Sequence, residues 1–273
     1  MGPGRASRVG EAIRFRAGAA RDRALDALGR REDLTPPRRL LTGDYSEFRR
    51  IGEEFRGHLV ELAGLRRDGA VLDVGCGPGR MAVPLTEYLG PGGRYEGFDV
   101  VPREVRWCQE HITPRHPNFR FRRVDVRNEH YNPGGAVPAA ELRFPYDDGE
   151  FDVVLLASVF THMLEPDHDR YVAEVARVLR PGGSCLATYF LLNDDSRRRI
   201  GAGESHFAFG GGREGAAHFE DGSDPEAVVA YDEAFVRGAH EGRGLEVASI
   251  HPGYWCGREE YLTWQDVLVS RAA

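Results

Sequence analysis

The sequence predicts an α/β fold, a doubly wound and mostly parallel sheet with helices on both faces. From about residue 65 onward, short apolar runs alternate with amphipathic stretches of helical length, the pattern of repeated strand–helix–strand units. The first run, VLDVG, breaks into Gly75-Cys76-Gly77-Pro78-Gly79 and then a helix. Glycine weakens the elements it interrupts, so bare backbone at a buried strand end marks a place where a ligand comes close.

The elements follow in order. Val9, Ile13, Ala17, Ala20, Leu25 and Leu28 recur at roughly helical spacing until TPPRR breaks them. Phe48, Ile51, Phe55, Leu59 and Leu62 form a second amphipathic stripe, ending near Gly64. GAVLDVG then reads as a strand, RMAVPLTEYL as a helix, RYEGFDV as a strand, PREVRWCQEHI as a helix and FRFRRVDV as a strand. FDVVLLAS is a strongly apolar strand, DRYVAEVARVL a helix and SCLATYFLL a strand. Residues 194–228 hold seven glycines and mixed charge, so they read as either a functional lid or a disordered segment, with a mobile lid over the acceptor as the expectation. EAVVAYDEAFVRGAHEG reads as one helix, and GLEVASI and QDVLVSRA as closing strands. The division expected is a helical extension over 1–44, a nucleotide-binding core over 45–193, the lid over 194–228, and a helix with closing strands over 229–273.

Bulk properties exclude several classes. The net charge of −7 gives no global attraction to nucleic acid. Within the first fifty residues twelve Arg face seven acids, which a solvated helical face explains. No apolar run approaches the roughly 20 residues of a membrane span. The opening MGPGRASRVGEAIRFR lacks the apolar centre of a secretory signal, so the expected location is cytoplasmic, with no membrane partner. Cys76, Cys108, Cys185 and Cys256 lie far apart without a CxxC pair, which argues against disulfides and structural zinc.

The glycine turn admits two nucleotide readings. A phosphate-cradling loop needs Lys and Ser or Thr after its last glycine, and neither is present. A dinucleotide fingerprint needs GxGxxG, but here the third glycine stands one place early and Pro78 removes an N–H. Asp73 precedes the turn, and Asp99 ends the second strand, where a carboxylate can accept both hydroxyls of a ribose.

VLDVGCGPGR, YEGFD, RRVDV, FPYDDGEFDVVLLASVFTHM and ARVLRPGG together resemble the class I S-adenosylmethionine-dependent methyltransferase family, from about residue 68 to 192. The resemblance implies a Rossmann-like, seven-stranded, mostly parallel sheet and S-adenosyl-L-methionine as cofactor. It places Asp73 and the backbone of Gly75, Cys76, Gly77 and Gly79 at the methionine end; Tyr45, at the start of the core, is expected to cap that end, and Ser158 is a further cofactor-binding candidate. It gives the ribose to Asp99 with Val100, and the adenine to Asp125 and Val126. The insert RNEHYNPGGAVPAAELR after Asp125 is longer than the family's usual link and changes the adenine wall.

The acceptor is less legible. Methyl transfer to a hydroxyl needs a base near the methyl, and His162 in SVFTHM stands just past the fourth strand. It is either that base or a histidine that shapes the pocket. His206 and His218 in the lid, and His251 and Tyr254 after the sixth strand, are the other candidates. EPDHD and NDD read as helix caps or solvated turns, so no metal is expected. ASVF stands where amino-methylating enzymes of nucleic acid carry an Asn/Asp-Pro-Pro-aromatic tetrad. The set YNP, FPYDD, SVFTHM, RVLRPGG and YFLLN resembles bacterial tailoring methyltransferases, including those acting on sugars. That implies O-methylation of a small metabolite, with a nucleotide sugar or glycoside as the specific expectation. N- or C-methylation and a non-catalytic partner subunit stay open, and the N-terminal 44 residues either cover the acceptor side or join chains into a homo-oligomer.

Overall fold

The computed structural model describes residues 34–41 and 45–273, with Ala20, Asp22 and Ala24 before them. The rest of the helix expected over 8–29, and most of the 1–44 extension, lie outside the described residues.

Helix α1 (Tyr45–Glu61) buries Phe48, Phe55 and Leu59, the stripe read from the sequence. Next come β1 (Ala70–Val74), α2 (Ala82–Tyr88), β2 (Arg94–Asp99), α3 (Pro102–His111) and β3 (Phe119–Arg123). The long insert holds two short paired strands, β4 (Val126–Arg127) and β5 (Val137–Pro138). Then follow β6 (Phe151–Leu156), α4 (Glu165–Val178), β7 (Leu179–Tyr189) and β8 (Leu191–Leu192). The seven-stranded sheet runs β12-β13-β7-β6-β1-β2-β3. Here β12 (Leu245–His251) and β13 (Asp266–Ala272) are the closing strands, β13 antiparallel to β7 and the pairs from β7 to β3 all parallel. One face packs Phe55, Leu85 and Cys108 of α1, α2 and α3 against Val71, Val153 and Leu155. The other packs Val172 and Val175 of α4 against Val74, Val154 and Leu156. Strands buried on both sides need apolar residues at every position, hence runs such as FDVVLL.

Two expectations are corrected. Residues 194–228 are folded, holding α5 (Asp194–Ala202) and a hairpin of β9 (Gly212–Glu214) and β10 (Ala217–Phe219). Asn193 caps α5 reciprocally with Ser196, and Gly203 closes it at φ +75, so polar and glycine residues there serve helix ends. EAVVAYDEAFVRGAHEG is not one helix: β11 (Val229–Asp232) precedes α6 (Glu233–Glu241). Val229, Ala230 and Tyr231 are all buried because β11 lies between β8 and β10 in a second, four-stranded sheet. Pairing on both sides overrides helical spacing.

Candidate active site

The carboxyl ends of β1, β2 and β6 open into a cleft of about 1450 Å³, the position where parallel α/β sheets take ligands. Its floor is the glycine turn. Gly75 and Gly77 adopt φ +74 and +51, a conformation that a side chain would oppose. The N–H groups of Gly75 and Cys76 both donate to the Phe98 carbonyl, which ties the turn to β2. A Cβ on Gly77 would meet only Glu104 Oε2, at 3.6 Å, so a ligand can occupy the space that this side chain would fill. Cys76 lines the cleft with its thiol pushed well up by burial, a packing group and not a nucleophile.

Asp73 is fully buried on β1 and accepts a hydrogen bond from the Tyr95 hydroxyl. Burial pushes its carboxyl up to about 7 against the opposing pull of that bond. Asp99 accepts from Gly77 N at 2.8 Å on one oxygen and from Val101 N at 2.9 Å on the other. Each carboxylate oxygen keeps a further lone pair for a ligand hydroxyl. Val100, Val126 and Ser158 also line the cleft. Ser158 is held at φ +60, an uncommon conformation for a non-glycine residue. Its N–H donates to Thr188 Oγ1 at 2.7 Å and its hydroxyl to Gln265 Oε1 at 3.0 Å.

His162 sits in the turn Phe160–His162 and lines the cleft. Its Nδ1 is 3.0 Å from the Glu226 carbonyl, and its Nε2 is 3.3 Å from the Tyr131 hydroxyl. A carbonyl only accepts, so Nδ1 carries the proton and Nε2 keeps its lone pair toward Tyr131. Burial lowers the pKa of this imidazole from its ordinary value, which keeps it neutral at pH 7.

Other sequence expectations fall elsewhere. Gly79 does not line the cleft: its bare Cα instead lets α3 pack, since a Cβ would stand 2.7 Å from Ile112 Cδ1. Asp125 is exposed outside the cleft, paired with Arg123 and Asn132, because the β4–β5 insert draws it outward. The Tyr45 side chain lies outside the described residues. No residue of 194–228 lines the cleft, so that segment is not its roof; it touches the site through His130–Asp224, Glu226 to Glu129 N, the Glu226 carbonyl on His162, and His206 against Tyr254 and Trp264. His206 bonds the Trp255 carbonyl, His251 lies against Ser249, and His218 lies near Asp232; none of these histidines lines the cleft, whereas Tyr254 does. Asp195 is spent on Arg198, Arg199 and Arg258, and Glu165 on Ala216 N. Among the described residues no group of three or more His, Cys, Asp or Glu is placed to hold a metal ion.

Among the cleft residues not singled out from the sequence, four polar ones bear on the chemistry. Glu104 stands beside Gly77 with its carboxyl pushed up to about 7 by burial and by Asp99. Arg80, directly after the last glycine, lines the cleft near Asp73, and its guanidinium makes no hydrogen bond to a described residue. Tyr131 and Gln265 come from distant segments. Only Arg80 and Glu104 carried a usable signal, by their proximity to the glycine turn and the β2 tip.

Comparison with known proteins agrees with this architecture. Residues 71–183 match the family described as "Methyltransferase domain". The chain is 38% identical over 131 residues to a phthiotriol/phenolphthiotriol dimycocerosates methyltransferase of Mycobacterium ulcerans, covering 47% of this chain and 39% of that relative. It thus spans well under half the length of that curated relative. Among solved structures, the PH0226 protein of Pyrococcus horikoshii superposes with a TM-score of 0.56 at 19% identity, covering 84% of this chain and 93% of that one. A 1,6-didemethyltoxoflavin-N1-methyltransferase of Burkholderia thailandensis, solved with S-adenosylhomocysteine, gives 0.51 at 18% identity over 84% and 80%. Identities this low establish a shared fold.

Proposed function

We propose that this chain, whose residues 71–183 are a methyltransferase domain of the class I, S-adenosylmethionine-dependent kind, methylates an oxygen of a small acceptor, with a sugar hydroxyl of a nucleotide sugar or glycoside as the specific case. When bound, S-adenosylmethionine supplies an electrophilic methyl carbon. The glycine turn, Asp73 and Arg80 fit its amino-acid end, Asp99, Val100 and Glu104 its ribose, and Val126 its base. The chain's own task is then to orient the acceptor and remove its proton.

The observation that carries the oxygen assignment is His162. Its Nδ1–H is anchored on the Glu226 carbonyl, its Nε2 accepts from the Tyr131 hydroxyl, which itself lines the cleft, and its lowered pKa keeps it unprotonated. A neutral amine would not need such a base; a hydroxyl does. The acceptor's proton passes to the Tyr131 oxygen as the Tyr131 proton passes to Nε2, and the imidazolium is stabilised through the Glu226 carbonyl. The mycobacterial relative is named for phthiotriol acceptors, which supports a hydroxylated substrate.

A radiolabelled methyl-transfer screen over hydroxylated and amine compounds tests the assignment, and label is expected in a hydroxylated compound. With that acceptor, His162→Ala lowers kcat about 10²–10⁴-fold and leaves S-adenosylhomocysteine affinity unchanged. Wild-type kcat falls as pH drops through the depressed histidine pKa, and the variant loses that limb. Weaker cofactor binding with the limb intact would make His162 structural.

A further inference from the structure

Gln265 is nine-tenths buried at the start of β13 and lines the cleft. Its amide is oriented by two hydroxyls. Gln265 Oε1 accepts from the Thr188 hydroxyl at 2.5 Å and from the Ser158 hydroxyl at 3.0 Å, while Thr188 Oγ1 also accepts the Ser158 N–H. This arrangement turns the amide nitrogen away from both hydroxyls. Nε2 is thereby fixed as a donor, and it makes no hydrogen bond to any described residue. Along the sheet edge the order β13-β7-β6-β1-β2 puts Gln265 on the opposite side of Ser158 from Asp73 and Asp99, away from the groups that fit the cofactor.

Beside it stands an aromatic wall. Tyr254 packs 4.6 Å from Trp264 and 4.9 Å from Tyr261 between ring centroids, and all three line the cleft. Tyr254 and Tyr261 remain 38% and 55% exposed, so both stay open to a ligand in the cleft. The wall is built to hold its shape. The buried Asp266 carboxylate accepts from Gly253 N, Leu191 N, Trp255 Nε1 and Arg258. Gly253 lies so close to the 264–266 backbone that a Cβ would stand 2.4 Å from Gln265 C.

We infer that this half of the cleft is the acceptor subsite and takes a ring compound with neighbouring oxygens, its ring packed in the corner between Tyr254 and Trp264 and one oxygen accepting from Gln265 Nε2. The inference rests on the methyltransferase reading and names its acceptor class. A protonated amine offers Nε2 no lone pair, and an alkyl chain offers the rings no flat face. A glycoside and a polyphenol both meet the requirement.

The test is binding to the full chain saturated with S-adenosylhomocysteine, read by tyrosine and tryptophan fluorescence. The probes are phenyl β-glucoside, catechol and 1-hexanol. At least one of the two ring probes is expected to bind and hexanol not to, the pair separating glycoside from phenol. Gln265→Leu weakens the ring probe about tenfold, the scale of one lost hydrogen bond. Gln265→Glu, which keeps the anchor to Thr188 and Ser158 but cannot donate, weakens it at least as much. Both variants keep their affinity for S-adenosylhomocysteine. Binding of neither ring probe, equal binding by both variants and wild type, or loss of S-adenosylhomocysteine affinity in both would overturn the inference. Failure of the wild type to bind S-adenosylhomocysteine would instead overturn the methyltransferase reading.

Discussion

Asp73 shows how one residue couples the fold to its ligand. Its carboxyl is fully buried and pushed up to about 7, chiefly by desolvation, so near neutrality it is partly protonated. An ammonium group brought beside it favours the ionised form. Binding S-adenosylhomocysteine therefore releases a proton, and affinity falls as pH drops below about 7. The sign follows from the raised pKa: the free protein binds a proton that the complex does not. Calorimetry should give roughly tenfold weaker binding at pH 6 than at pH 8; equal affinity at both would remove Asp73 from the ligand. Legibility at this scale depends on distance along the chain. Asp73, Asp99 and His162 could be found because each stands at a recognisable strand end. Gln265 could not, because its partner Ser158 is 107 positions away. Tyr131 sits in an insert with almost no periodicity, and only the fold brings its hydroxyl to His162.

At the scale of elements, the third glycine of the turn belongs to packing. Gly79 adopts φ +86, and a Cβ there would press on Ile112 and on Cys108 Sγ at 3.2 Å. Gly79→Ala therefore combines backbone strain with overpacking between the turn and α3. Together these cost about 2–3 kcal/mol, several degrees in Tm, while binding measured well below Tm is kept because Gly79 stays out of the cleft. An unchanged Tm would contradict that division of labour among the glycines. The parallel strands were readable because burial on both faces writes continuous apolar runs. β11 was misread because Ala230 and Tyr231 also fit a helical stripe that continues into α6. The short strands β9 and β10 were missed because three residues carry no period, and β8 was read as the end of the strand before it; only pairing in the second sheet defines them.

Across the whole molecule, the cleft is assembled from three independent parts. The carboxyl edge of the large sheet supplies the acids and the glycine turn, α1 covers one side, and the 254–265 loop braced by Asp266 forms the other. The second sheet stands behind that loop, with Phe190 and Phe209 against Trp255, so the insertion stiffens the acceptor wall without roofing it. This arrangement serves the proposed reaction only if the sheet edge holds S-adenosylmethionine. The most direct measurement is titration of S-adenosylhomocysteine into the full chain and into Asp99→Ala by calorimetry. The account predicts one site of about micromolar Kd and a loss of roughly a hundredfold or more in the variant, from two charge-assisted hydrogen bonds of about 1.5–3 kcal/mol each. No binding by the wild type, or equal affinity in the variant, would contradict it.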